Sequence, residues 1–223
     1  MISTSMQEYL RAIYQLQEEQ VPVSTSDLAT YLSVAPASVT GMIRKLHDQG
    51  LVEHVPYRGV TLAPAGRQEA LRLVRIHRLW ELFLTEVMDL PWDEVHEQAY
   101  RLEYATSDRL ADRLAEFLNQ PQTDPHGQRI PTREGTLPPR KCSPLAEIEA
   151  GQIVSLVEVP DGNPELLRYL GDQELYPGAE IQVLAVDPFN GPFTIRVGDS
   201  EHILGRELVG KLMVTNAPVS YTH

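Results

Sequence analysis

Twenty residues, EALRLVRIHRLWELFLTEVM (69 to 88), constrain this chain more than any other stretch. Leu71, Leu73, Val74, Ile76, Leu79, Trp80, Leu82, Phe83, Leu84, Val87 and Met88 fall on more than one face of a helix. A helix with one apolar stripe lies on a surface; one that is apolar most of the way round must be covered on several sides. The stretch therefore predicts a central helix that packs within its own chain and against a second copy. Pro91 ends it. Two more helices are expected over 93 to 105 and 108 to 118, with Ser107 as a cap for the second.

The first 67 residues carry shorter patterns. Tyr9, Leu10, Ile13, Tyr14 and Leu16 sit at helical spacing. STSDLATYL (24 to 32) offers Ser and Thr caps before an amphipathic helix. PASVTGMIRKLHDQG (36 to 50) opens with Pro36 and closes on Gly50. LVEHVPYRGVTLAP (51 to 64) reads as strand, turn and strand. Helix, short turn, helix and hairpin is the order of a winged helix-turn-helix, whose second helix enters the major groove. Its leading residues, Pro36, Ala37, Ser38 and Thr40, are small enough for close approach to base edges. Arg44 and Lys45 lie one to two turns on, placed for phosphates, and Tyr57 and Arg58 mark the hairpin tip.

Charge supports a local DNA-reading head. The whole chain is net −12, which argues against indiscriminate nucleic-acid binding. Yet residues 36 to 75 hold six Lys/Arg against three Asp/Glu, whereas 76 to 135 and 136 to 223 each hold six against twelve. From 146 onward the texture alternates like strands, in QIVSLVEV, AEIQVLAV, PFTIRV and KLMV, punctuated by DG, PG and NG. That predicts a small β-barrel. The stretch 119 to 145 is rich in proline and reads as loop and linker. No apolar run approaches a membrane span and no signal peptide opens the chain, so a soluble cytoplasmic protein is expected. Cys142 is the only cysteine, which excludes an intrachain disulfide and a multi-thiolate zinc site.

The loop TDPHG (123 to 127) contains more than a turn needs. Asp124, Pro125 and Gly127 suffice for the bend; His126 does not contribute to it. Elsewhere His77 and Glu81 share a helix face at a spacing of four, and His96, Tyr100 and Glu103 share another. Glu8 lies in the first helix, and Asp161 and Glu165 flank a DGNPE turn. Each has a bland reading taken singly: a packed histidine, an Asx-turn, an acid paired with arginine. Together they offer oxygens and imidazoles without sulfur. Such mixed donors suit Mn(II), Fe(II), Co(II) or Zn(II), and the carboxylate majority leans toward Mn(II).

EYLRAIYQLQEE (8 to 19), APASVTGMIRKLHDQGLVEHVPYRGVTLAPAGR (35 to 67), HRLWELFL (77 to 84), VHEQAYRLEYATSDRLADRL (95 to 114) and DPHGQRIP (124 to 131) resemble the diphtheria toxin repressor and manganese transport regulator family of metal-dependent repressors. ELLRYLGDQELYPGAEIQV (165 to 183) resembles the FeoA-type SH3-like domain that ends many members. The resemblance spans nearly the whole chain, in family order. It implies a mainly α protein with a small all-β domain. Its parts are a winged helix-turn-helix over 1–67, a helical metal-binding and dimerisation domain over 68–135, a linker over 136–145 and an SH3-like barrel over 146–223. It also implies a homodimer that binds a palindromic operator when a divalent metal is bound and so controls metal transport genes.

Carried over residue by residue, the family's site near the first helix keeps Glu8 and Glu103, but Tyr100 stands for a Cys or Glu and Tyr104 for a His. That site is weakened or absent. The other site keeps His77, Glu81 and His96. DPHG resembles a CPHG-like loop, with His126 retained and Asp124 at the thiolate position, and Asp161 falls near an acidic ligand of the C-terminal domain. The implied cofactor is Mn(II), with Fe(II) as the alternative. An enzyme is not expected, since neither HExxH nor a nucleophile elbow is present. A winged-helix regulator sensing an organic ligand and a metal-independent architectural protein remain the rival readings.

Overall fold

The structure, a computed structural model, describes residues 2–18, 20–55, 58–139 and 141–216. Tyr57 of the hairpin tip lies outside them. The chain divides into two compact units.

The first unit comprises Met1–His77, Glu103–Asp112 and Pro131–Leu137. It opens with α1 (Thr4–Leu16), α2 (Thr25–Tyr31) and α3 (Pro36–Asp48), followed by the hairpin β1 (Val52–Val55) and β2 (Gly59–Leu62) and the start of α4 (Pro64–Glu86). Serines begin the first two helices. Ser3 Oγ accepts from Met6 N at 3.4 Å and Ser24 Oγ from Asp27 N at 3.0 Å, satisfying amides that have no partner within the helix. Pro36 stands at the first turn of α3. Gly50 ends that helix at φ 69, with its N–H on His47 O and Leu51 N–H on Leu46 O, the left-handed cap that glycine adopts without a Cβ penalty.

Leu10, Ile13, Leu28, Val39, Ile43, Leu46 and Val60 form the core of this unit. Val39, Ile43 and Leu46 are the buried stripe of α3, so its opposite face presents Pro36, Ala37, Ser38, Thr40, Arg44 and Lys45 to solvent. Arg58 is exposed in the turn between β1 and β2. The helical period alone produces this division between packed and exposed residues.

The second unit comprises Arg78–Leu102, Arg113–Ile130 and Pro138–His223. It holds the end of α4, nearly all of α5 (Val95–Glu103), and the end of α6 (Asp108–Phe117). A sheet follows, made of β3 (Ser143–Pro144), β4 (Ile153–Glu158), β5 (Glu180–Val186), β6 (Phe193–Val197), β7 (Ser200–Leu204) and β8 (Met213–Thr215). The strand order is β3-β8-β4-β5-β6-β7 and each pair is antiparallel. Register shifts in β4 and β5 bend it. Two short helices, α7 (Pro164–Asp172) and α8 (Arg206–Val209), join the expected strands. Val154, Leu156, Leu167, Leu170, Ile181, Val183, Phe193, Ile195 and Val214 fill the core between them.

Much of the long apolar stretch is covered within one chain. Leu71, Leu73, Val74, Ile76, Leu79, Leu82 and Leu84 are already buried within one chain. At the end of α4 and of α6, Val87 (45%), Met88 (56%) and Phe117 (63%) stay exposed. Phe117 leans on Phe83 with ring centroids 5.9 Å apart. Among the described residues, no helix is long and apolar enough to cross a membrane.

Candidate metal centre

The loop that follows α6 is built around Asp124. Its Oδ1 accepts from His126 N and from Gln128 N, both at 2.9 Å. Its main-chain O accepts from Gly127 N at 3.0 Å and its N donates to Gln128 O at 3.0 Å. This is an Asx-turn closed twice, so Asp124 has the structural role its residue type predicts. The turn consumes only one carboxylate oxygen. Oδ2 is buried with no hydrogen-bond partner among the described residues, and its neighbour is Arg78 Nε at 3.5 Å.

Two contacts then fasten the loop to the sheet. Val159 N donates to His126 O at 3.0 Å. Gly127 crosses β4 at φ 81, so closely that a Cβ there would stand 1.9 Å from Val157 O. Only glycine fits both the backbone angle and the gap.

His126 is fully buried. Its Nε2 donates to Trp92 O at 2.8 Å, and its ring stacks on the Trp92 ring with centroids 5.6 Å apart. A carbonyl oxygen only accepts, so Nε2 carries a hydrogen, and in the neutral ring the lone pair is then on Nδ1. Nδ1 has no hydrogen-bond partner among the described residues and lies 4.0 Å from Asp124 Oδ1. A histidine with one nitrogen held by a carbonyl and the other without a hydrogen-bond partner is arranged as metal-binding imidazoles are.

Three acids gather at His126. Glu81 comes from α4, Asp124 from the loop, and Asp161 from the segment between β4 and α7. With His126 they offer ligand atoms that all lie within 4.8 Å of one another. Ligands on opposite sides of one ion are separated by roughly 4 to 5 Å, twice a bond of roughly 2.0 to 2.6 Å. Glu81, Asp124 and His126 are buried; Asp161 is half-buried. Burial first, and the Glu81 charge second, push the Asp124 carboxyl up to about 7. Such crowding of buried carboxylates is costly without a cation. A divalent ion removes that cost, so the residues present fit one.

The other expected site residues are placed as follows. His96 Nδ1 lies 3.0 Å from Glu81 Oε1. His77 Nδ1 lies 2.7 Å from Glu103 Oε2 in the first unit. Glu8 is half-buried on α1, and neither it nor Glu103 joins a cluster of three or more potential ligands among the described residues. Three supporting groups have no ligand signature in the sequence. Arg78 donates from Nη1 to Arg129 O at 2.6 Å and from Nη2 to Gln128 Oε1 at 3.1 Å, bracing the loop beside Asp124. Gln128 reaches Val159 O at 3.3 Å. The third group, Trp92 O, is a main-chain atom.

Replacing Asp124 with cysteine tests the donor chemistry. A thiolate keeps a ligand atom but loses the carboxylate oxygen that accepts the two loop amides. The expected result is a centre that binds Zn(II) or Cd(II) more tightly relative to Mn(II) than the wild type does. Competition calorimetry measures that ratio; an unchanged ratio would mean that Asp124 serves the turn and not the ion.

Known proteins resemble this chain along its length. Residues 1–60 match the DNA-binding N-terminal domain of iron-dependent repressors, and 63–132 match their metal-binding and dimerisation domain. Residues 143–216 match the FeoA domain. The iron-dependent repressor IdeR of Mycobacterium leprae is 35% identical over 191 residues, covering 78% of this chain and 81% of the relative. The diphtheria toxin repressor of Corynebacterium glutamicum is 30% identical over 216 residues, covering 90% and 95%. Among solved structures, a manganese-dependent transcriptional repressor in complex with manganese superposes with a TM-score of 0.85 at 37% identity, over 94% of this chain and 98% of the other. ScaR with bound Cd2+ superposes with 0.82 at 30% identity, over the same shares.

Proposed function

We propose, from the premise that this chain belongs to the iron-dependent repressor family, that it is a manganese-responsive homodimeric regulator of metal transport genes. The family consists of metal-dependent transcriptional repressors, not enzymes. The metal assignment rests on one observation above all. Glu81, Asp124, Asp161 and the His126 imidazole converge with no sulfur among them, and oxygen-rich donor sets favour Mn(II) over softer ions. Fe(II) is the second reading, carried by the iron-dependent relatives.

When bound, the ion supplies the positive charge that three carboxylates lack. The residues do the rest. Arg78 and the two amides on Asp124 keep the loop in shape, and Trp92 O keeps His126 in the tautomer whose Nδ1 can bind. Ion binding shifts the population toward the form of the dimer that engages a two-fold related operator. The exposed surface at Val87, Met88 and Phe117 is the proposed contact between copies. Melting curves with Mn(II), with Fe(II) under anaerobic conditions and with EDTA test the assignment, since a specific ligand raises the transition by mass action. Equal response to neither ion would leave the family fold without a metal switch.

The DNA-reading face is proposed to be the exposed side of α3. Arg44 and Lys45 have no ion-pair partner among the described residues, as phosphate-contacting groups require. Arg44→Ala should weaken binding to every sequence and reduce the salt dependence of binding by about one unit of slope. Ser38→Ala should change discrimination between operators instead. Fluorescence anisotropy at several salt concentrations separates the two; an unchanged slope in Arg44→Ala removes it from the interface.

A further inference from the structure

Glu103 ends α5 fully buried, and its Oε2 accepts two hydrogen bonds. Arg11 Nη1 of α1 donates at 2.6 Å and His77 Nδ1 at 2.7 Å. The Arg11 side chain is only 16% exposed, so two opposite charges are withdrawn from water together. Burial alone would raise the Glu103 carboxyl; the His77 hydrogen bond and the Arg11 charge outweigh it and hold it below the ordinary carboxylate value. Family resemblance implies a second divalent ion near this glutamate. The donor set does not fit one. Tyr104, beside Glu103, brings a phenol, and the resemblance puts a second, Tyr100, at a family ligand position; a phenol must lose a proton near pH 10 before it binds a cation well. The positive charge that such a position needs is already present as a guanidinium.

We propose that Arg11 is a built-in cation at this position, so that each protomer carries a single divalent-ion site and α1 stays tied to Glu103 with or without metal. The ion count rests on the reading of Glu81, Asp124, His126 and Asp161 as that one site. The difference from a metal-built link is permanence. An ion leaves when its free concentration falls; a side chain does not. The DNA-reading unit of this chain keeps its α1 anchor in the metal-free state, and occupancy of one site governs the response.

Equilibrium dialysis against Mn(II), with bound metal counted by mass spectrometry, is the first measurement. One ion per wild-type protomer and none in Glu81→Ala are expected. Melting in EDTA is the second. Arg11→Ala strands a buried carboxylate and should melt lower by on the order of 10 °C; Arg11→Lys should lose less. Arg11→Ala combined with Glu103→Ala should recover most of the loss, because removing both charges leaves neither unpaired. If Arg11→Ala does not fold, Glu103→Gln carries the same comparison from the other side. Two ions per wild-type protomer, or an ion in Glu81→Ala that Glu103→Ala removes, would overturn the proposal. So would an Arg11→Ala protein that melts with the wild type in EDTA. Absence of any bound ion in the wild type would instead overturn the metal reading of the four-residue site, and the melting comparison would still decide the role of Arg11.

Discussion

Glu81→Ala should separate metal affinity from fold stability. In the absence of metal the variant is expected to melt at or above the wild-type temperature, because Glu81 is a buried acid whose charge raises the Asp124 carboxyl. Removing it relieves repulsion. Mn(II) should then have little to hold. Groups that merely orient ligands are worth about 10- to 100-fold in affinity, so loss of a ligand should exceed about 100-fold. At a metal concentration of 100 times Kd the wild type gains about 2.7 kcal/mol by mass action; a 100-fold weaker site keeps roughly 0.4 kcal/mol of that. The manganese-induced rise in melting temperature should nearly vanish, and metal-stimulated operator binding with it. A wild-type rise in Glu81→Ala would show that the ion sits elsewhere.

Gly127→Ala should do the opposite, damaging the fold and the site together. The new methyl group would stand 1.9 Å from Val157 O at a backbone φ of 81. Strand β4 cannot recede, since it is paired on both sides by β5 and β8. The loop must lift instead, and the hydrogen bond from Val159 N to His126 O opens. Overpacking and left-handed strain together should cost about 3 kcal/mol or more, equivalent to a loss of roughly 6 to 12 °C for a chain of this size. Because His126 travels with the loop, Mn(II) affinity should fall as well. Melting in EDTA and manganese calorimetry read the two effects. A variant that melts like the wild type would mean that the loop reseats at no cost, and that the strap is not what holds His126.

Much of this was legible in the sequence because local rules and the final packing agree. Ser3, Ser24, Pro36 and Gly50 sit at helix boundaries for reasons that need no tertiary partner. The period of α3 already divides Val39, Ile43 and Leu46 from Ser38, Arg44 and Lys45. Asp124 and His126 stood out because a turn needs the first and has no use for the second. Other features are tertiary. Trp92 contributes a main-chain oxygen, which no residue type announces. Arg78 is buried beside the loop, although arginine ordinarily lies at the surface. Arg11 shares a helix with Glu8, and nothing in the spacing says that it reaches a glutamate 92 positions away. The apolar stretch 69 to 88 shows the converse limit: period reveals that a face must be covered, but not whether the cover is the chain itself or a second copy.

The unequal burial of the four converging side chains has a consequence for time as well as affinity. Glu81, Asp124 and His126 are closed off, and Asp161 alone faces partly outward. An ion arriving from solvent would meet Asp161 first, and one departing would break with it last. The carboxylate at the rim thus acts as a doorkeeper, and the three behind it as the strongroom. Substitutions behind the rim should change how tightly a divalent ion is held, whereas a substitution at Asp161 should also change how quickly it enters and leaves.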